Sequence, residues 1–343
     1  MKDIKELYYD ELLAGLESMG EKRFRAGQIY TWMHKKLASS FDEMSDISKA
    51  LRDKLKAAYT YTVLKEARKQ VSGIDGTVKY LFELPDKNRI ETVSMDYHHG
   101  HSVCISSQVG CRMGCRFCAS TLGGLVRNLT AAEMLEQIYS VSRDRGKRVD
   151  NVVVMGIGEP MDNYDEVVRF IRMLTSEKGL DLSVRSITVS TCGIVPGIYR
   201  LSEEGLGITL ALSLHAVSDE KRKKIMPVAN SYSLSELMDA VDTYFKKTGR
   251  RVSFEYSLIK GVNDSEEDAV GLAALAGKRG CHVNLIPVNP VTEAGLKEPV
   301  REAVLAFQKK LKDMNVNATI RRELGRDIDG ACGQLRRADS SLG

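Results

Sequence analysis

Residues 111–118 read Cys-Arg-Met-Gly-Cys-Arg-Phe-Cys, three cysteines with three and then two residues between them. Thiolates packed this closely are soft ligands for zinc or for an iron–sulfur cluster. Zinc sites commonly show CxxC pairs and complete their four ligands with a second pair or with histidines. Three thiolates on one short loop instead leave one iron of a cubane without a protein ligand. An open iron is what a cluster needs if it is to bind and activate a small molecule.

Working outward, the loop follows a short apolar run, SVCIS (102–106), and the pattern beyond it repeats. The runs NVVVMG (151–156), SITVS (186–190), ITLALSL (208–214), VSFEYSL (252–258) and HVNLIPV (282–288) alternate with amphipathic windows. Those windows are TAAEMLEQIYSVSRD, YDEVVRFIRML, SLSELMDAVDTYFKK and EEDAVGLAALAG. Six strands alternating with helices predict an α/β core with a parallel sheet, open or partly closed into a barrel. Its active rim is expected in the loops after the strands' C-terminal ends. Upstream, residues 1–60 read as a helical unit from the spacing of apolar residues in KELYYDELLAGL and AGQIYTWMHKKL, with Ser48 placed to cap a third helix. Residues 61–98 switch to alternation in TVKYLFEL (77–84) and RIETVSM (89–95), a β-rich connector around the turn PDKN. Residues 99–335 form the core with a C-terminal cysteine segment, and 336–343 are expected to be a disordered tail.

The chain of 343 residues is 43% hydrophobic and 28% charged, ordinary for a soluble globular protein. No apolar run approaches the roughly 20 residues that span a bilayer, and MKDIKELYYDELL lacks the apolar stretch of a secretory signal. The expectation is a cytoplasmic protein, not bound to membrane, whose seven cysteines are thiols or metal ligands and not a disulfide framework. Net charge is only +4, but Lys221–Lys224, Lys246–Arg251, Arg321-Arg322 and Arg336-Arg337 form basic clusters. Phosphate contacts would draw on such clusters; a solvated face is the alternative reading of each.

With an aromatic residue, Phe117, before the last cysteine, the loop resembles that of the radical S-adenosylmethionine (SAM) superfamily. The resemblance implies a partial (β/α)6 barrel with a [4Fe-4S] cluster on Cys111, Cys115 and Cys118. It also implies SAM chelating the open iron and cleaved by one electron to a 5′-deoxyadenosyl radical. The segment MGIGEP (155–160) resembles the superfamily's glycine-rich stretch that holds the SAM amine, which makes Gly158 and Glu159 binding candidates. Its glycines admit close backbone approach, and a carboxylate accepts from an ammonium; alone, the segment reads equally as a plain turn. Ser190, Ser213, Leu214, His215 and Asn289 lie at or just past the ends of strands 3, 4 and 6, where ligands for ribose, carboxylate and adenine are expected to converge. By itself, His215 reads more readily as a structural histidine.

Two cysteines outside the loop add a second theme. Cys104 lies seven residues before the first expected ligand, and Cys332 sits in the glycine-flanked stretch IDGACGQL (328–335). Accessible thiolates are nucleophiles. These contexts, with FRAGQIYTW, RIETVSM, CISSQVGCRMGCRFCASTLGGLVRNLT, LSLHA, IMPV, GVND, HVNLIPVNP and TIRRELGRDIDGACGQLR, resemble the RlmN and Cfr adenosine methyltransferase family over nearly the whole chain. The N-terminal unit, CASTLGG and MGIGEP are more similar to the RlmN branch.

That resemblance implies two SAM molecules per methyl transferred. The first methylates Cys332; the second yields the radical, which takes a hydrogen from the S-methyl group, and the methylene radical adds to an electron-poor amidine carbon of adenine. Cys104 then matches the thiol that resolves the protein–RNA adduct as a disulfide. Glu91 matches an acidic residue proposed as proton acceptor, though from sequence alone it reads as a surface strand residue. The implied product is C2-methyladenosine in 23S rRNA, at the peptidyl-transferase centre, and in tRNA, 3′ to the anticodon; C8 methylation, as in Cfr, is the alternative. The implied partners are those RNAs and an external one-electron donor such as flavodoxin or ferredoxin, acting on a monomer. Extruding a buried base calls for shape and phosphate recognition, for which Lys221–Lys224 and Arg321-Arg322 are the candidates. Cys192 and Cys281 match no catalytic position and read as packed small hydrophobes. A zinc-dependent RNA-binding module, and a radical SAM enzyme of peptides or small molecules, are the competing readings; the latter has no use for Cys104 and Cys332.

Overall fold

A computed structural model describes residues 1–289, 291 and 295–336; Arg337 and the rest of the expected tail lie outside the described residues. Helices α1 (Tyr9–Ser18), α2 (Phe24–His34) and α3 (Lys49–Ala58) form the N-terminal unit. Its apolar stripes close on a core of their own that includes Leu12, Leu16, Ile29, Met33, Leu51 and Leu55. Ser48 does cap α3, its hydroxyl accepting from the Leu51 N–H at 3.3 Å. The meander β1 (Lys65–Val71), β2 (Val78–Glu83) and β3 (Arg89–Tyr97) follows.

The core begins with β4 (Gly100–Ile105). The cysteine loop comes next, framed by a small hairpin of β5 (Gln108–Gly110) and β6 (Leu125–Asn128). Then come α4 (Ala131–Arg145), β7 (Asn151–Val154), α5 (Tyr164–Leu174), β8 (Ile187–Thr191), α6 (Val195–Glu203) and β9 (Thr209–Ser213). A pair of helices, α7 (Asp219–Ile225) and α8 (Leu234–Thr248), leads to β10 (Ser253–Leu258). Finally α9 (Glu266–Gly277), β11 (His282–Pro287), α10 (Arg301–Asp313) and β12 (Ala318–Ile320) complete the described core. Capping boxes start α4 (Thr130 with Glu133), α8 (Ser233 with Glu236) and α9 (Ser265 with Asp268). In each, two orphan N–H groups find side-chain acceptors, so the chain leaves a strand and enters a helix at a defined residue.

Among the described residues these strands form one ten-stranded sheet in the order β1-β2-β3-β4-β7-β8-β9-β10-β11-β12. From β4 onward every pairing is parallel, while β1 to β4 pair antiparallel. The connector strands therefore extend the barrel's own sheet, with Val93 of β3 opposite Cys104 of β4. All six expected parallel strands are present. A seventh, β12, and the helix α10 before it were not foreseen, because a strand of three residues offers almost no alternation to read.

The helical unit is fastened to the barrel by polar contacts sealed from water. Lys5 Nζ lies 2.5 Å from Glu136 Oε2 of α4, with both side chains fully buried. His34 Nδ1 lies 2.7 Å from the Tyr139 hydroxyl on the same helix. No helix among the described residues is long and apolar enough to cross a membrane.

Candidate active site

The parallel strands aim their C-terminal ends at one rim, and the cysteine loop crosses it. The Cys111 N–H donates to Gly124 O at 3.0 Å and the Cys118 N–H to Cys115 O at 3.1 Å. Gly114 takes the left-handed φ of 71°, and a Cβ there would meet Pro227 at 3.2 Å, so the loop packs tightly on the segment after α7. All three loop cysteines line one cavity. Burial pushes the Cys111 thiol up to about 12 and the Cys115 thiol well above its ordinary value. Such thiols give up their protons when a cation takes them as ligands. Among the described residues no three His, Cys, Asp or Glu side chains converge as a single bound ion requires. A cubane bonds each thiolate to its own iron, and three thiols on one loop fit one.

Gly158, Glu159, Ser190, Ser213, His215 and Asn289 line the same cavity. Gly158 has φ 112°, and a Cβ there would sit 2.6 Å from Gln108 Cβ, so its missing side chain is required by the neighbouring chain itself. Glu159 is buried; its Oε1 accepts from the Met161 N–H at 3.0 Å and its Oε2 from the Cys192 N–H at 2.7 Å. Burial raises its carboxyl above the ordinary value. The Thr191 hydroxyl and the Cys192 thiol also act on this carboxylate and pull it the other way. The Ser190 and Ser213 hydroxyls lie 3.4 Å apart. His215 adopts φ 54°, its Nδ1 accepts from the Ser257 N–H at 2.8 Å, and Phe117 stands edge-on at 4.6 Å between ring centroids. That bond puts the proton on Nε2, and burial, then Arg222, depresses the imidazole to about 3, so it is a neutral donor. Leu214 differs: it is fully buried and does not line the cavity, and its N–H donates to Glu255 O at 3.0 Å.

A second cavity adjoins the first. Cys104 lines it, and Cys332, Asn289, Met155 and Arg321 line both. Cys104 is held between β3 and β7, and burial, followed by the Cys332 charge, pushes its thiol up to about 12. The Cys332 segment is fixed from several sides. Asn289 Nδ2 donates to Cys332 O at 2.8 Å, the Ala119 N–H to Gly333 O at 2.8 Å, and Ser120 Oγ to Leu335 O at 2.7 Å. Glu91 lines neither cavity. It lies buried beside the segment, where its Oε2 accepts from the Arg336 N–H at 2.8 Å and its Oε1 is 3.2 Å from Lys79 Nζ. Burial raises its carboxyl, against the pull of Lys79.

Three residues beyond the expected set belong to this region. Glu255 and Ser257 point into the first cavity from β10; an acidic residue inside the apolar run VSFEYSL was the signal for the former. Arg321 lines both cavities, and its charge is stabilised chiefly by Cys332. The cluster Lys221–Lys224 is less available to RNA than its sequence suggests. Arg222 is fully buried, Lys221 pairs with Asp268 at 2.6 Å, and Lys224 pairs with Glu220 at 2.7 Å. Cys192 and Cys281 are buried, as expected, although Cys192 also borders the first cavity.

Comparison with known proteins agrees with this geometry. Residues 2–60 match the family described as ribosomal RNA large subunit methyltransferase N-terminal domain, and residues 105–273 match the radical SAM superfamily. A protein of Lachnospira eligens, named "Probable dual-specificity RNA methyltransferase RlmN", is 60% identical over 98% of this chain and 96% of its own. A protein of the same name from Bacillus cereus is 51% identical over 97% of this chain and 92% of its own. The crystal structure of a radical SAM methyltransferase from Sphaerobacter thermophilus superposes with a TM-score of 0.94 at 43% identity, covering 98% of this chain and 99% of that one. Three loop thiols and a rim of polar groups on one cavity, with relatives matched end to end, lead to one conclusion: the chain belongs to the RlmN family of radical SAM RNA methyltransferases, which use a [4Fe-4S] cluster and SAM.

Proposed function

We propose that this enzyme methylates C2 of adenosine in 23S rRNA and in tRNA through a methyl group carried on Cys332. The observation that carries this reading is that Cys332 lines both cavities, one shared with the three loop cysteines and the other with Cys104. A thiol in that position can receive a group on one side and deliver it on the other. A radical SAM enzyme of small molecules has no need of the second cavity's cysteine.

The cluster and SAM, held by Cys111, Cys115, Cys118 and the polar rim, supply the methyl group and the one-electron chemistry that an unreactive amidine carbon requires. Cys332 Sγ holds the methyl group, and Asn289 orients it by fixing the carbonyl of the same residue. Cys104 waits beside it as a neutral buried thiol. After a base has taken its proton and the adduct has given up one electron, Cys104 takes the C2 hydrogen of the adduct as a proton. Its sulfur then bonds to that of Cys332 while the S–C bond breaks toward the base, whose new methylene carbon takes up a proton to become the methyl group. Glu91, its carboxyl raised by burial, suits a group that takes up a proton behind the Cys332 segment. The reaction calls for an external one-electron donor of the flavodoxin or ferredoxin kind.

The test is mass spectrometry of nucleosides from 23S rRNA and tRNA treated with the reconstituted enzyme, SAM and a reductant. Formation of 2-methyladenosine in both RNAs is expected. An 8-methyladenosine product would assign the chain to Cfr-like chemistry, and no methylated adenosine would reject the reading.

A further inference from the structure

Arg222 stands in a basic run, yet its side chain is wholly buried and heads the largest fully buried side chains of the described residues. Its Nη2 donates to Cys192 O at 2.5 Å and to Ser213 O at 3.4 Å, and its Nε donates to Leu214 O at 3.2 Å. Nη1 is buried with no hydrogen-bond partner. Among the described residues no carboxylate lies within ion-pair distance of this guanidinium. Asp219, the nearest acid to influence it, is engaged by the Leu234 N–H at 2.7 Å.

A buried cation without an anion is strongly disfavoured, and carbonyl dipoles offset only part of the cost. Proteins keep such a group where a charge partner arrives later. The groups whose ionised forms would act on Arg222 most strongly are the thiols of Cys192 and then Cys115; both line the cluster cavity, and burial keeps both protonated in the cluster-free fold. Each loop cysteine becomes a thiolate on binding iron, and reduction adds one further negative charge. The cation is tied to the carbonyls at the ends of β8 and β9, two of which belong to the cavity-lining residues Cys192 and Ser213.

We propose that Arg222 is the buried counter-charge of the cluster, a positioning residue that favours the reduced state and makes cluster binding relieve an uncompensated charge in the fold. The proposal concerns electron entry into the cluster, not the RNA chemistry. One unit charge at about 10 Å in a medium of effective dielectric about 20 shifts an equilibrium by on the order of tenfold.

The experiment uses the full chain, reconstituted anaerobically, as wild type, Arg222→Met and Arg222→Lys, and follows cluster reduction against applied potential by EPR. In Arg222→Met the reduction equilibrium is expected to move against the reduced cluster by on the order of tenfold, about 59 mV for one electron. Arg222→Lys, which keeps the charge and loses the fork, is expected to hold the wild-type potential. Melting of the cluster-free chain gives the second readout: Arg222→Met melts no lower than wild type, and its gain on reconstitution is smaller. An unchanged potential in Arg222→Met overturns the proposal and leaves a packing role. A Lys variant shifted off the wild-type potential overturns it too, assigning the effect to hydrogen-bond geometry, and this arm decides the matter if the Met variant does not fold. Neither readout involves RNA, so the result is independent of the proposed methylation.

Discussion

Glu91 shows what one residue's surroundings can change. In RIETVSM it reads as a surface position, but β3 lies inside the sheet between β2 and β4, and Lys79 reaches across from β2 to pair with it. Lys79 also donates to Asp329 O at 3.3 Å, so one ammonium ties the carboxylate to the cysteine segment. Removing one member of a buried pair leaves the other uncompensated. Lys79→Met is therefore expected to cost about 3 kcal/mol in urea unfolding, and an unfolding midpoint equal to wild type would contradict the assigned pairing. Cys104 carries a different prediction. If it resolves the adduct, Cys104→Ala should purify with RNA covalently attached, visible as nuclease-sensitive absorbance at 260 nm in denaturing gel filtration. Purification free of RNA would count against that role. The sequence showed the three loop cysteines, Glu159 and Cys332 because each sits in a dense local motif. Arg222 and Arg321 read in the sequence as phosphate contacts, and Glu255 left only the signal of an acid in an apolar run, because their places beside the cavities come from where strands and helices bring them together, long after the local pattern ends.

At the scale of elements, α2 and α4 meet through His34 and Tyr139. Burial, and next the charge of Lys5, depresses the His34 imidazole to about 3 from an ordinary 6.5. Between those values the unfolded chain binds a proton that the folded chain refuses, so this group's contribution is present above pH 6.5 and is lost as pH falls toward 3. Urea unfolding of the cluster-free chain across that range should show stability falling with acid, and His34→Phe should lessen the slope by about one proton. An identical slope in the variant would mean that the histidine is not held neutral. The elements themselves were read unevenly. Long apolar runs such as ITLALSL announce buried parallel strands, whereas of the caps only Ser48 was read, and the capping boxes at Thr130, Ser233 and Ser265 emerge from the structure. The helix α10 has an apolar stripe, Val304, Phe307 and Leu311, that was present to be read; it precedes a strand too short to signal that another βα repeat was needed.

For the whole molecule, the central architectural fact is a barrel whose sheet runs on into the connector while the helical unit is clamped to α4. Lys5 and Glu136 form the clamp; Lys5 also donates to Thr62 O at 2.7 Å, and Arg143 shares Glu136. Lys5→Met is expected to destabilise the chain by about 3 kcal/mol, and Lys5→Met with Glu136→Leu to recover much of that loss, because an apolar pair of similar volume avoids burying a lone charge. Calorimetry or urea unfolding reads both; additive losses in the double variant would contradict the clamp. The alternation of strands and helices made the α/β class legible from the sequence, whereas the continuity of β3 with β4 depends on long-range pairing that no local pattern records. The proposed chemistry rests on Cys332 as the methyl carrier. Mass spectrometry of the peptide spanning residues 319–336, from active enzyme isolated from cells, should find Cys332 heavier by one methyl group, and active enzyme with Cys332 unmodified would contradict it.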